Sequence, residues 1–429
     1  MRSRRPVLGA LLATGTLAVV GVVRLTADSG ERAAIATHRE VTYHADIAPI
    51  LQQSCQVCHR SGGIAPFALE SYGQTVAFRE MIDGAVRERR MPPWFASPDH
   101  GAWANDRRLP EEDRLALLAW IDQGAPEGNP AYGPPPVIWP EGWSIGAPDV
   151  VLRLDEPVEV PADGVVPYLY RYLATDFEED RWIQALQIRP TAPEVVHHVL
   201  VLIEDPIEGV PAVHPANPLA AHSDFGLGLD GYFAAHVPGH YGVVYPEGQA
   251  KLLPQGATLK FQLHYTPNGR PTEDQTEIGF VFADEPPEYR VETGAAMSLN
   301  FVIPPGARNH EVTAMHRFEE PVSLLGFLPH MHLRGSAFRY EVHYPDGRRE
   351  TVLDVPHFDF HWQEEYILAD PLPLPAGSWL RATGWFDNSR HNHHNPDPSQ
   401  AVRFGEQTWE EMMNGYFHYL VRNTNEEAL

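Results

Sequence analysis

The stretch Lys260-Phe261-Gln262-Leu263-His264 alternates apolar and polar side chains, the period-two signature of a strand with one buried face. Phe261 and Leu263 face one way, Gln262 and His264 the other, so a histidine leaves the core in the company of a glutamine. The same character extends outward from this strand. From about Trp143 to the C-terminus the chain runs in short alternating strands between Pro, Gly and Asp turns, with few helical patterns, which reads as two all-β sandwiches. Glu285-Pro286-Pro287, or the stretch up to Ile303-Pro304-Pro305-Gly306, divides them, giving β domains over about 146–290 and 291–429.

Other histidines interrupt similar apolar stretches at His197-His198 and His330-Met331-His332, and Met412 lies near the C-terminus. Strands of Val, Leu and Phe rarely carry several imidazoles unless something binds them, because each unpartnered polar ring costs free energy to desolvate. His330 and His332, two apart, are expected on one face of a strand. His197 and His198 are adjacent and can reach one ion only where their strand bends, bulges or ends. Imidazole suits copper, zinc, iron and nickel, whereas a thioether selects Cu(I). The set reads as two copper sites: three histidines that pass electrons, and two histidines with a methionine that meet dioxygen. His44, His100, His310, His357 and His361 match no ligand spacing and are read as structural. His236 and His240 lie in a Gly- and Pro-rich loop that can face the site, and His391, His393 and His394 read as a solvated loop.

The N-terminal part differs. Met-Arg-Ser-Arg-Arg followed by an uncharged apolar run over 7–23 is a basic n-region and an h-region, so 1–30 is a signal peptide or N-terminal anchor. The chain is then periplasmic or extracellular, tethered to the inner membrane if the segment is uncleaved. The net charge of -25 opposes binding to nucleic acid. Its two cysteines form Cys55-Gln56-Val57-Cys58-His59, the pattern that attaches a c-type haem through two thioethers with the histidine on iron. Helices are expected ending near Ser54 with Ile47, Ile50 and Leu51 inward, over 75–89 with Val76, Ile82 and Val86 inward, and from Glu111 through Leu115, Leu118 and Ile121 to Gly124. Met91, held by Pro92 and Pro93, is the favoured second haem ligand. Met81 is its rival, read as core. This small all-α unit over 38–128 resembles a class I cytochrome c domain, and a Pro-rich linker over 129–145 follows it.

The order His197-His198, Gln262-Leu263-His264-Tyr265, His330-Met331-His332 and Glu411-Met412-Met413-Asn414-Gly415-Tyr416 resembles the copper type II, ascorbate-dependent monooxygenases. The resemblance spans roughly 149–419. It implies two jelly-roll-like sandwiches facing across an open cleft, with His197, His198 and His264 on an electron-transfer copper. His330, His332 and Met412 would hold the copper that binds oxygen, with Met413 the rival to Met412. Gln262 would line the electron route, and Asn414 and Tyr416 the substrate pocket. Leu328 stands where the peptide-amidating members carry a substrate-anchoring arginine, which argues against a glycine-extended peptide.

The expected function is thus an exported copper monooxygenase hydroxylating a C–H bond of a small organic substrate with O2. It would carry one haem c and two coppers, with electrons from ascorbate or a periplasmic redox partner entering through the haem. The competing readings are a non-catalytic haem and copper electron carrier and an oxidoreductase that reduces a small oxide or peroxide.

Overall fold

The structure, a computed structural model, describes residues 40–139, 142–204, 213–214, 232–237, 239 and 242–424. The expected signal or anchor segment and His240 lie outside the described residues. No helix among the described residues is long and apolar enough to cross a membrane.

Pro49 sits in the first turn of the helix Ala48–Ser54, where a missing N–H is least costly. Ile47, Ile50 and Leu51 are buried there as expected. The single helix expected over 75–89 is two, Tyr72–Ala77 and Arg79–Arg87. They part at Phe78, whose N–H turns back onto the carbonyls of Thr75 and Val76 and whose ring stacks on Phe67 at 4.0 Å. Ile82 and Val86 enter the core, but Met81 is 60% exposed, which corrects its reading as core. Glu111–Asp122 opens after Pro110 with three acids at its positive end. It buries Leu117, Leu118 and Trp120 and leaves Leu115 outside. Trp120 takes the central place because its Nε1 can donate to the Pro126 carbonyl at 3.0 Å. These short helices share a core of their own, which includes Ile47, Leu51, Val86 and Trp120.

Between Arg79–Arg87 and Glu111–Asp122 the chain crosses to the C-terminal half. Trp94 and Trp103 are buried in that half's core. Ala104 N–H donates to Ile367 C=O and Ala369 N–H to Ala102 C=O, both at 2.8 Å. Asn105 adds bonds to Glu365 C=O and from Ile367 N–H. A strap at 94–105 therefore extends the sheet beyond the strand Tyr366–Leu374.

The remainder is β-sandwich, as expected. In the first half a five-stranded sheet holding Leu169–Ala174, Val196–Glu204 and Thr258–Tyr265 packs through Phe261, Leu263 and Val199 onto strands that include Arg181–Arg189 and Glu277–Phe282. In the second half Tyr289–Met297, Asn414–Arg422, Val322–His330 and Tyr366–Leu374 pack on a four-stranded sheet around Phe327, Phe338, Tyr340 and Phe417. The two halves share a nine-stranded sheet, joined where Tyr289 and Arg290 pair in parallel with Gln249 and Ala250. Leu200, Leu202 and Tyr232 of the first half also meet Leu328 and Tyr416 of the second in one apolar cluster. Among the described residues the halves are thus in contact, not separated by the open cleft that the resemblance implies.

Candidate metal centre

The 3₁₀ turn Pro193–Val195 delivers the chain into Val196–Glu204, and that strand begins with a bulge. His264 pairs with His198 but Tyr265 pairs with Val196, so His197 is the extra residue. The bulge brings adjacent histidines to one place, as the sequence required. His197, His198 and His264 each offer a nitrogen within 4.8 Å of the others', with His197 Nδ1 and His198 Nδ1 3.1 Å apart. His198 Nε2 and His264 Nδ1 are buried without a hydrogen-bond partner. Buried ring nitrogens left unpaired in this way are costly, and a metal ion would satisfy their lone pairs.

The second set forms where two strands meet. Val322–His330 ends at His330, which pairs with Asn414 at the start of Asn414–Arg422. His332 lies beyond the strand, contrary to the expectation of one strand face. Met331, fully buried in the core, turns the chain so that the two imidazoles stand 5.2 Å apart by centroid and perpendicular. His330 Nδ1 donates to Gln363 Oε1, and His332 Nδ1 to the Glu410 carbonyl at 3.3 Å. Each ring's Nε2 then keeps its lone pair, and that of His332 is buried without a partner. Met412 lies two residues before Asn414, whose Nδ2 reaches its sulfur at 3.4 Å. Met413 is fully buried in the sandwich core.

Glu411 braces this corner. Its carboxylate accepts the main-chain N–H of His332 at 2.9 Å and of Arg334 at 2.7 Å, with the Arg334 guanidinium 3.9 Å away. Burial pushes the Glu411 pKa up to about 8, against those donors. Burial also favours neutral imidazoles. It lowers His197 to about 3 and His330 to about 4, and holds His198, His264 and His332 well below the ordinary value. Neutral imidazole is the metal-binding form.

The two sets adjoin. His198 and His330 rings are 5.9 Å apart by centroid. Phe360 stacks on His197 at 4.8 Å and also approaches His332 at 6.0 Å. His361, read as structural, lies 6.1 Å from His197 and 5.2 Å from the exposed His394. Phe360 and Gln363 carried no sequence signal, because 358–365 is a dense aromatic and polar run without strand alternation. Gln262 leaves its strand on the His264 side, as expected, but its amide donates to Tyr170 OH at 2.9 Å. Asn414 donates to Tyr416 OH at 3.2 Å, and both are buried, Tyr416 in an apolar cluster with Tyr232 and Leu328.

A cavity of about 900 Å3 lies between this centre and the helices. Cys55, Cys58 and His59 form one wall with Met81 and Met91, and His197, His236 and His361 belong to the other. Both cysteines are free, and His59 Nδ1 donates to the Phe67 carbonyl at 3.1 Å, leaving Nε2 with its lone pair. Arg107, also on the wall, pairs with buried Glu364 at 3.0 Å.

Residues 291–428 match the profile of the copper type II ascorbate-dependent monooxygenase C-terminal domain. The chain is an oxygen-incorporating oxidoreductase. The monooxygenase domain includes His330, His332, Glu411 and Met412, so the second set falls inside the matched region. No curated protein matches the chain. Among solved structures, the VP2 subviral particle of infectious bursal disease virus is 13% identical over 63% of this chain and 76% of that one, with a TM-score of 0.20. The major capsid protein P2 of bacteriophage PM2 is 9% identical over 65% and 98%, with a TM-score of 0.26. Scores of that size carry no argument about the monooxygenase fold or function.

Proposed function

We propose that this chain is an exported monooxygenase that converts R–H, O2, two electrons and two protons to R–OH and water on a small organic substrate. Its electrons would arrive through a haem held by Cys55, Cys58 and His59, with Met91 as second ligand. In this reading His197, His198 and His264 hold one copper, and His330, His332 and Met412 the other. Bound there, copper supplies the one-electron and dioxygen chemistry that side chains lack.

The carrying observation is the second set itself: two neutral imidazoles with their Nδ1 protons committed and a thioether hydrogen-bonded to Asn414, the cross-strand partner of His330, in a domain matched to copper monooxygenases. Gln363 and the Glu410 carbonyl fix which nitrogen of each ring remains for metal. Glu411 holds the turn that carries His332, and Asn414 holds Met412. Leu328, Tyr416 and Tyr232 exclude water from the same corner. The 900 Å3 cavity supports the haem assignment, since it lies in the size range of cofactor pockets and its wall carries the free thiols and His59. Ascorbate or a periplasmic redox protein is the proposed donor. The apolar run over 7–23 supports export.

Met412→Ala tests the reading. Reduction of the haem by ascorbate should proceed as in the parent, while hydroxylated product from a substrate screen should vanish; turnover that persists would overturn the assignment.

A further inference from the structure

We infer that the two adjacent histidines of the bulge act in series, so that electrons enter the first histidine set at His197 and leave it at His198. The inference rests on the reading that the cavity holds a haem attached at Cys55 and Cys58.

Of the three histidines in the set, His197 alone lines the cavity that those cysteines share. His198 instead makes the direct imidazole contact between the two sets, 5.9 Å from His330 by centroid and nearly perpendicular to it. In a regular strand the two would face opposite sides of the sheet and could not serve one ion. The bulge at His197 lets them do so while their outer edges keep different neighbours, Phe360 and the cavity for one and His330 for the other. His264, on the partner strand, reaches Phe360 at 5.9 Å but neither lines the cavity nor stacks on His330, and it completes the set. The step is one electron: ferrous haem becomes ferric, the cupric ion at the first set becomes cuprous, and no bond or proton moves. Chemistry at the second set then draws that electron onward through His198.

The full chain, matured with haem attached and loaded with Cu(II), is reduced at the haem by a flash under anaerobic conditions, and haem reoxidation is followed by absorbance. His332→Ala, which abolishes turnover by removing a ligand of the second set, should leave the first phase within about twofold of the parent. A collapse of that phase would mean that electrons bypass the first set and would overturn the inference. His264→Ala and His197→Ala each remove one imidazole from the first set. Compared at equal copper content, His197→Ala should be slower than His264→Ala by more than about tenfold; equal slowing, or parent rate in His197→Ala, would overturn the role of His197. If His197→Ala fails to hold copper, the His332→Ala result still decides whether the first set is the acceptor. Failure of the underlying reading is seen separately, as absence of a Soret band and of the haem mass on the purified chain.

Discussion

Gln363 and the Glu410 carbonyl each take an Nδ1 proton from the second set, and so decide which nitrogen of His330 and His332 remains for a metal. Gln363→Leu should therefore weaken copper at this set by about 10–100-fold in chelator competition while leaving the first set unchanged. Neighbouring methionines separate two roles. Met413→Ala should cost about 2–5 kcal/mol of stability in urea melts, because it empties a filled core site, while leaving copper affinity at the second set nearer the parent's than Met412→Ala does. Five imidazoles held neutral by burial make a further prediction. Their folded pKa values lie below the free value of about 6.5, so the unfolded chain gains protons first as pH falls. Stability present above pH 6.5 is then lost as pH drops toward about 4 for His330 and about 3 for His197. Metal-free protein should lose up to about 1.4 kcal/mol per pH unit for each such histidine; a urea midpoint that does not move between pH 7 and pH 5 would refute this. The clustered histidines were legible because a polar ring breaks an apolar pattern. Glu411 was not, since its work is done on the amides of His332 and Arg334, and no spacing reports an amide.

The bulge at His197 could be deduced from sequence as a necessity, because two adjacent histidines in a straight strand cannot share an ion. The end of the neighbouring strand at His330 could not. His330 and His332 looked like one strand face, but Met331 is drawn into the core and redirects the chain between them. Phe78 is a similar case: periodicity ran through it, yet one helix stops and another starts there, where its ring stacks on Phe67. The strap at 94–105 was wholly invisible, since its tryptophans fill a core belonging to strands far along the chain. Trp103→Ala should cost about 3–5 kcal/mol and loosen the helical unit from the C-terminal half. Limited proteolysis should then cut between them; resistance equal to the parent's would show that the strap is not what joins them.

The shared sheet makes the two sandwiches one cooperative body. Parallel pairing at Tyr289 and Arg290 carries the ladder from one half to the other, and Lys251 reaches across to Thr293 at 2.7 Å. Calorimetry of the β region should show one endotherm, and two resolved transitions would argue against this coupling. Copper should stabilise that body by mass action, each site adding about 4 kcal/mol at a free concentration a thousand times its Kd. Chelation should lower the melting temperature accordingly. The strap has one more consequence, for handling the catalytic half alone. Tyr366–Leu374 is the last strand of the nine-stranded sheet, and 102–105 cover its open side. A polypeptide trimmed to 291–428 would keep its family likeness and lose that cover. Its bare N–H and C=O row would then serve as a template for other chains, so the fragment should aggregate through edge-to-edge stacking even where every metal ligand of the second set is intact.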